Sequence, residues 1–462
     1  MLNQTDIKHV LLEASKTGCD FVELYLEDTK DLSIRMTKDK VDNISSASLY
    51  GAGLRLLKGE DETYGYTNDV TKKGLLDLAH KLSSYYKGEV KVKDVTFTDT
   101  EVKKTTVIDK PSILEDMDAK IKNLVTLNKG ALEYDKIIIQ SIATLTEHCQ
   151  KILVANTLGT YKSDYRNNMR YGVTCIAENG NGKQNGSFNY GGNFGLSAYK
   201  DFDFYNLGVK AAKQAIIMLN APQIKGGIYD VVINNYFGGV IFHEACGHAL
   251  EASSVARGLS VFTGKLGQKI ASDIVTAIDD GTIPNEWGSL NIDDEGNETK
   301  KNVLIENGIL KSYMVDYKNS LLMNLAVTGS GRRQSYRFKP TSRMTNTYIA
   351  NGKSTFDEII KATKYGLFAK ELGGGSVNPA TGEFNFAVNE GYLIEDGKIT
   401  SPVRGATLIG RGDETLLNID MVGNNQTFGY GMCGAASGSI PACVGQPTIR
   451  VKNMTVGGNG GK

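Results

Sequence analysis

Two dipeptides, Asn307-Gly308 and Asp396-Gly397, place the tightest limits on how this chain can fold. Each lies between short apolar–polar alternations: Val303-Leu304-Ile305-Glu306 with Ile309-Leu310-Lys311, and Tyr392-Leu393-Ile394-Glu395 with Lys398-Ile399-Thr400. A two-residue hairpin turn needs positive φ at both central positions, which Asn, Asp and Gly tolerate. Both pairs therefore predict antiparallel hairpins. Glycine, 52 of 462 residues, crowds the second half and the segment 179–195. Tight turns and bulges are expected there, and 178–195 reads as loop or hairpin turns.

Upstream of Pro222-Gln223-Ile224-Lys225-Gly226-Gly227 the texture differs. Helical periodicity marks 5–17, 71–86, 112–128 and 206–220, while 20–26, 33–36, 49–57, 137–142, 151–154 and 169–177 read as extended. The expected fold is α+β: an N-terminal α/β-type mixed domain over 1–221, then a mainly antiparallel β, barrel-like C-terminal domain over 222–462 that carries the metal helix described next. One helix, 355–370 with Ser354 as cap, should interrupt the second domain. The glycine-rich tail from Gly457 is expected to fray.

The chemistry concentrates in His243-Glu244-Ala245-Cys246-Gly247-His248. Two imidazoles can hold a metal, and an adjacent carboxylate can handle the proton of an attacking water. The familiar zinc-protease signature spaces its histidines four apart on one helix face, whereas here they are five apart. On a regular helix that spacing turns the second ring by roughly 140° and moves it roughly 7.5 Å along the axis. A shared ion then requires a π-type bulge or a kink within the predicted helix 236–256, and Gly247 is a natural place to ease it. Glu251, Cys246, Cys433 and Cys443 are all candidates for a third ligand, and spacing does not select among them; Glu251, three residues after His248, could instead support that histidine from behind.

Lys+Arg and Asp+Glu balance at 52 each, which gives no support for a direct nucleic-acid partner. The first residues lack the pattern of a signal peptide, and no apolar run is long enough to span a membrane. The six scattered cysteines read as reduced thiols in a cytoplasmic protein.

Several long segments, in order, resemble the TldD/PmbA family of zinc metalloproteases, also known as modulators of DNA gyrase. They are Phe242-His243-Glu244-Ala245-Cys246-Gly247-His248-Ala249-Leu250-Glu251, Gly329-Ser330-Gly331-Arg332-Arg333-Gln334-Ser335-Tyr336, Arg343-Met344-Thr345-Asn346-Thr347-Tyr348, Met432-Cys433-Gly434 and Val444-Gly445-Gln446-Pro447-Thr448. Asp20-Phe21-Val22-Glu23-Leu24-Tyr25 and Gly51-Ala52-Gly53-Leu54-Arg55 fit as well. The chain resembles the TldD type, which keeps the metal motif, rather than the PmbA (TldE) type, which has lost it.

The resemblance implies Zn2+ held by His243, His248 and Cys433, with Glu244 as catalytic base and Cys443 as filler. The run 343–348 reads as a strand near the site, and an exposed edge in the β-rich domain could take up an extended peptide by strand addition, which agrees with the family's association with peptide processing. The resemblance also implies either a homodimer or a heterodimer with a PmbA/TldE-like subunit. Arg332, Arg333 and Arg343 are candidates for contacts to substrate oxygens, because guanidinium forks suit carboxylates and carbonyls. The alternatives are a scaffold whose structural metal is closed by Glu251 as fourth ligand, and a regulator of DNA gyrase.

Overall fold

A computed structural model describes residues 2–199, 202–378 and 380–459. The first part builds one six-stranded antiparallel sheet from β1 (Phe21–Thr37), β2 (Lys40–Lys58), β3 (Asp61–Thr67), β4 (Ile138–Asn156), β5 (Tyr161–Asn179) and β6 (Gly182–Asn193), in the spatial order β3-β2-β1-β4-β5-β6. Helices α1 (Gln4–Ser15) and α2 (Lys72–Ser83) cover one end, and α3 (Met117–Leu132) and α4 (Phe204–Asn220) the other. Each pair seals its own apolar cluster, with Leu24 and Leu54 under α1 and α2, and Leu145 and Val173 under α3 and α4.

This sheet corrects several expectations. Segments 20–26 and 33–36 are one strand, as are 137–142 and 151–154. The polar residues that seemed to separate them, such as Glu27, Thr29, Glu147 and Gln150, are buried. The segment 178–195 is mostly strand β6, paired with β5 from Asn179↔Gly182 to Asn168↔Asn193.

The second part continues with β7 (Lys225–Ile233), β8 (Ala277–Asp280), β9 (Lys301–Glu306), β10 (Ile309–Leu310), β11 (Gly331–Arg332), β12 (Thr341–Ser342) and β13 (Asn346–Ile349). It ends with β14 (Tyr365–Val377), β15 (Glu383–Glu395), β16 (Lys398–Val403), β17 (Thr407–Arg411), β18 (Ile419–Val422), β19 (Thr427–Ala435), β20 (Gly438–Gln446) and β21 (Ile449–Asn459). Strands β14-β7-β21-β17-β15 pair in sequence, and β15 pairs back to β14, closing a five-stranded barrel. A second sheet runs β10-β9-β8-β13-β20-β19. The barrel-like expectation therefore stands, within a mixed α+β fold. Both hairpin turns have positive φ at each central residue: Asn307 (47°) with Gly308 (81°), and Asp396 (49°) with Gly397 (71°).

Two details differ from expectation. The helix after 354 spans only Phe356–Ala362, and Thr355 rather than Ser354 caps it in a reciprocal capping box with Glu358. Its expected continuation is β14, which lies parallel to β7. Of the tail, Gly457 to Asn459 belong to β21, and 460–462 lie outside the described residues.

Candidate metal centre

Residues 236–256 do not form one helix. A 3-10 turn (Tyr236–Gly239) leads into a short α-turn (Val240–Phe242), then a π-helix (His243–Gly247), then a second 3-10 turn (His248–Leu250). In the π segment the His248 amide donates to the His243 carbonyl five residues earlier. That widened turn brings the rings to 5.2 Å between centroids, nearly perpendicular at 84°. Gly247 does not supply the distortion, since its φ of −54° is ordinary helical backbone. It is needed for packing: a Cβ there would lie 2.3 Å from Met344 Sδ.

Cys433, on β19, completes the cluster. Its Sγ lies 3.2 Å from His243 Nε2 and 3.4 Å from His248 Nε2. Among the described residues, one donor atom each from His243, His248 and Cys433 falls within 4.8 Å of the others. The remaining imidazole nitrogens are held from behind. Thr347 Oγ1 donates to the Cys443 carbonyl (3.4 Å) and sits 3.1 Å from His243 Nδ1, so it can accept from that nitrogen. His248 Nδ1 lies 3.1 Å from Glu251 Oε1. Protons placed on both Nδ1 atoms leave both Nε2 lone pairs facing Cys433, the arrangement that orients metal-ligating histidines. Burial works against a thiolate at Cys433, but when both imidazoles are protonated their positive charge and hydrogen bonds hold its pKa well below the usual thiol value. Two imidazoles and a thiolate suit a borderline-soft divalent ion such as zinc, so the donor set fits the group that the sequence implies.

The other third-ligand candidates sit elsewhere. Cys246 is fully buried with its Sγ toward the Gly412 carbonyl, and burial raises its pKa. Cys443 faces Glu286 at 3.6 Å. Glu251 orients His248, and it also lies 3.8 Å from Arg343 Nε.

Glu244 projects from the π segment with its side chain 25% exposed, 3.7 Å from His248 Nε2. It lines a cavity of about 600 Å³ together with His248, Arg257, Lys318, Lys339 and Gly434. Of the three arginines, Arg343 is brought to the centre. It is fully buried, and its Nη2 donates to the Cys433 carbonyl at 2.5 Å. Arg332 donates to the Met344 and Pro441 carbonyls. Arg333 is drawn away, pairing with Glu23 and lying 4.3 Å over the Tyr25 ring. Thr347 has a supporting role that the sequence does not reveal: it lies 104 residues from His243, and nothing in the spacing links them.

Three consecutive domain models match the chain: PmbA/TldA metallopeptidase domain 1 (22–84), central domain (109–219) and C-terminal domain (226–458). The chain belongs to the PmbA/TldA metallopeptidase family. It is 36% identical to the metalloprotease TldD homolog of Buchnera aphidicola over 470 aligned positions, covering 99% of this chain and 96% of that one. It is 35% identical to the metalloprotease TldD homolog of Haemophilus influenzae, covering 96% and 94%. The fold matches the crystal structure of a Thermotoga maritima protein described as a modulator of a DNA gyrase, with TM-score 0.80 at 20% identity, covering 98% and 100%. It also matches TldE from Thermococcus kodakarensis, with TM-score 0.77 at 19% identity, covering 98% and 99%. Among the described residues, no helix is long and apolar enough to cross a membrane.

Proposed function

We propose that this protein is a zinc-dependent peptidase that hydrolyses extended or unfolded peptides. One observation carries the reading: two Nε2 atoms and one thiol converge within 4.8 Å, while Glu244 faces the adjoining cavity. A divalent ion held there supplies Lewis acidity to the scissile carbonyl and acidifies water. Glu244 takes the proton of the attacking water and returns it to the departing amine nitrogen, the work of a general base that becomes a general acid. Thr347 and Glu251 keep the two imidazoles in the tautomer that leaves Nε2 free. Arg343 fixes the Cys433 backbone.

The substrate reading rests on β19. It is the edge strand of its sheet, and Gly434 and Ala435, just past Cys433, line the cavity. An extended segment can add to such an edge through backbone hydrogen bonds, whereas a folded protein cannot. A scaffold role with a closed structural site is less well supported, because Glu251 engages His248 Nδ1 instead of turning toward the cluster. The six free cysteines agree with a cytoplasmic setting. We place the chain in a dimer, with a second copy or with a PmbA/TldE-like subunit.

The test is Glu244→Gln. Metal content by elemental analysis should stay unchanged while cleavage of an unfolded protein falls at least about a hundredfold, at the lower end of what general acid–base groups contribute. Cleavage that persists in the variant overturns the assignment.

A further inference from the structure

Met432 and Cys433 are neighbours on β19, and a strand sends successive side chains to opposite faces. Cys433 faces the metal cluster. Met432 faces a different cavity of about 900 Å³, between the first sheet and the β19–β20 hairpin. Nothing in the proposed peptidase chemistry uses this second cavity.

Its charges are unevenly matched. Three carboxylates line it, and each is engaged. Glu147 pairs with Lys120 at 2.8 Å and Asp31 with His148 at 2.7 Å. Glu27 accepts from Thr29, Gln150 and the Tyr336 amide. Among the described residues, three guanidinium groups lining it have no carboxylate in ion-pair contact: Arg337 is exposed and lies over the Tyr336 ring at 5.7 Å, while Arg332 and Arg170 are set into the wall. Arg332 is buried and donates through Nη1 to the Met344 and Pro441 carbonyls, while its Nε has no partner. Arg170 lies over the Trp287 ring at 5.3 Å.

The two groups converge on one stretch of hairpin. Trp287 Nε1 donates to the Gly431 carbonyl, Arg332 holds Pro441, and Pro441 is the register partner of Met432. Burial, reinforced by the positive charges of Arg166 and Arg343, pulls the Arg332 pKa down to about 10. Burial lowers that of Arg170 as well.

We propose that this cavity binds an apolar-bodied carboxylate, with Arg332 and Arg170 gripping the carboxylate and Trp287, Met432 and Pro441 packing its body. A guanidinium pair matches a planar carboxylate. A dianion fits less well beside Glu27, Asp31 and Glu147. Two sources share this chemistry: the free C-terminus of a short peptide and a small organic acid. The proposal stands apart from the peptidase reading, since it concerns binding and needs no turnover.

Trp287 is the chain's one tryptophan, so its fluorescence reports on this wall directly. The metal-loaded chain is titrated with 3-phenylpropionate and with 3-phenylpropionamide, then with acetyl-Leu-Phe as free acid and as amide. The expected result is saturable change with the acids and at least about tenfold weaker binding of the amides, one power of ten in Kd. Whichever acid binds more tightly identifies the source. Arg170→Gln should weaken the acids about tenfold and leave the amides unchanged, and Arg170→Lys should restore part of the loss. Equal binding of acid and amide, no saturable response at millimolar concentration, or acid affinity unchanged in Arg170→Gln overturns the proposal.

Discussion

At the seam between the first sheet and the second half, Arg55 lies 2.5 Å from Glu295, Arg166 lies 2.7 Å from Asp294, and Arg333 pairs with Glu23. Each of these buried cations finds its counter-charge within the chain. Burial opposes the charge on Arg55, yet Glu295, Glu23 and Glu62 outweigh it and raise its pKa. At the cluster of His243, His248 and Cys433 the donors instead turn lone pairs toward one another. The seam's three cations are matched by the chain's own carboxylates, though atoms such as Arg333 Nε and Glu23 Oε2 lack a hydrogen-bond partner, whereas the cluster is arranged for an ion that the chain does not contribute. Two largely buried polar regions thus do different work, and the presence or absence of a counter-charge within the chain tells them apart. The seam is also where the signature segments of the two halves meet. A Cβ at Gly51 would fall 2.2 Å from the Tyr336 ring, so that position accepts nothing larger.

The contrast is sharpest in Cys433→Ala. Metal content, measured by elemental analysis on the purified chain, should fall from about one ion to near none, while the ion pairs of the seam stay intact. Undiminished metal would erase the distinction and return the third-ligand role to another residue. Next in size is Glu23→Ala, which strands Arg333 in the interior. Removing one partner of a buried pair costs about 3–5 kcal/mol, so the denaturant midpoint should drop markedly at unchanged metal stoichiometry in the folded fraction. A loss below about 1 kcal/mol would mean that Glu23 is not the counter-charge that holds Arg333 in the interior.

The smallest effect is a slope with pH at Glu62, on the rim of the seam. Burial opposes its charge, but Arg55 and Lys339 hold its pKa down to about 2, below the ordinary 4.5. A depressed carboxylate pKa contributes stability that is present above about pH 4.5 and lost as pH falls toward 2. In Glu62→Gln, stability should decline less steeply over that window than in the parent chain. Parallel curves would remove Glu62 from the network.

Legibility in the sequence follows a physical line. Local rules carried well: the dipeptides at 307–308 and 396–397 form the expected turns, and of the two distortions that would let histidines five apart share an ion, a π bulge or a kink, the π turn is seen. The resemblance then pointed to Cys433, which spacing alone could not select across 185 residues. Errors arose where burial is two-sided or polar. Leu367-Phe368-Ala369 read as helix because β14 is covered on both faces, and such strands lose their alternation. Phe21–Thr37 read as two strands because Glu27 and Thr29 are buried polar residues facing the seam. The role of Thr347 is tertiary, set by the strand that comes to rest behind His243, whereas Glu251 lies three residues after His248 and its supporting contact was legible from that spacing.

Because Met432 and Cys433 face opposite cavities, the pairing of β19 with β20 decides which side chain meets the histidines. A slip by one residue would turn every side chain of β19 over and take Met432 out of its cavity and the Cys433 thiol away from His243 and His248. The alignment runs from Thr427↔Gln446 to Ala435↔Gly438 and closes on Gly438 at φ 89°. An insertion or deletion in that turn would therefore act like the loss of Cys433 from the cluster without altering Cys433 itself, and a single codon could disturb both cavities.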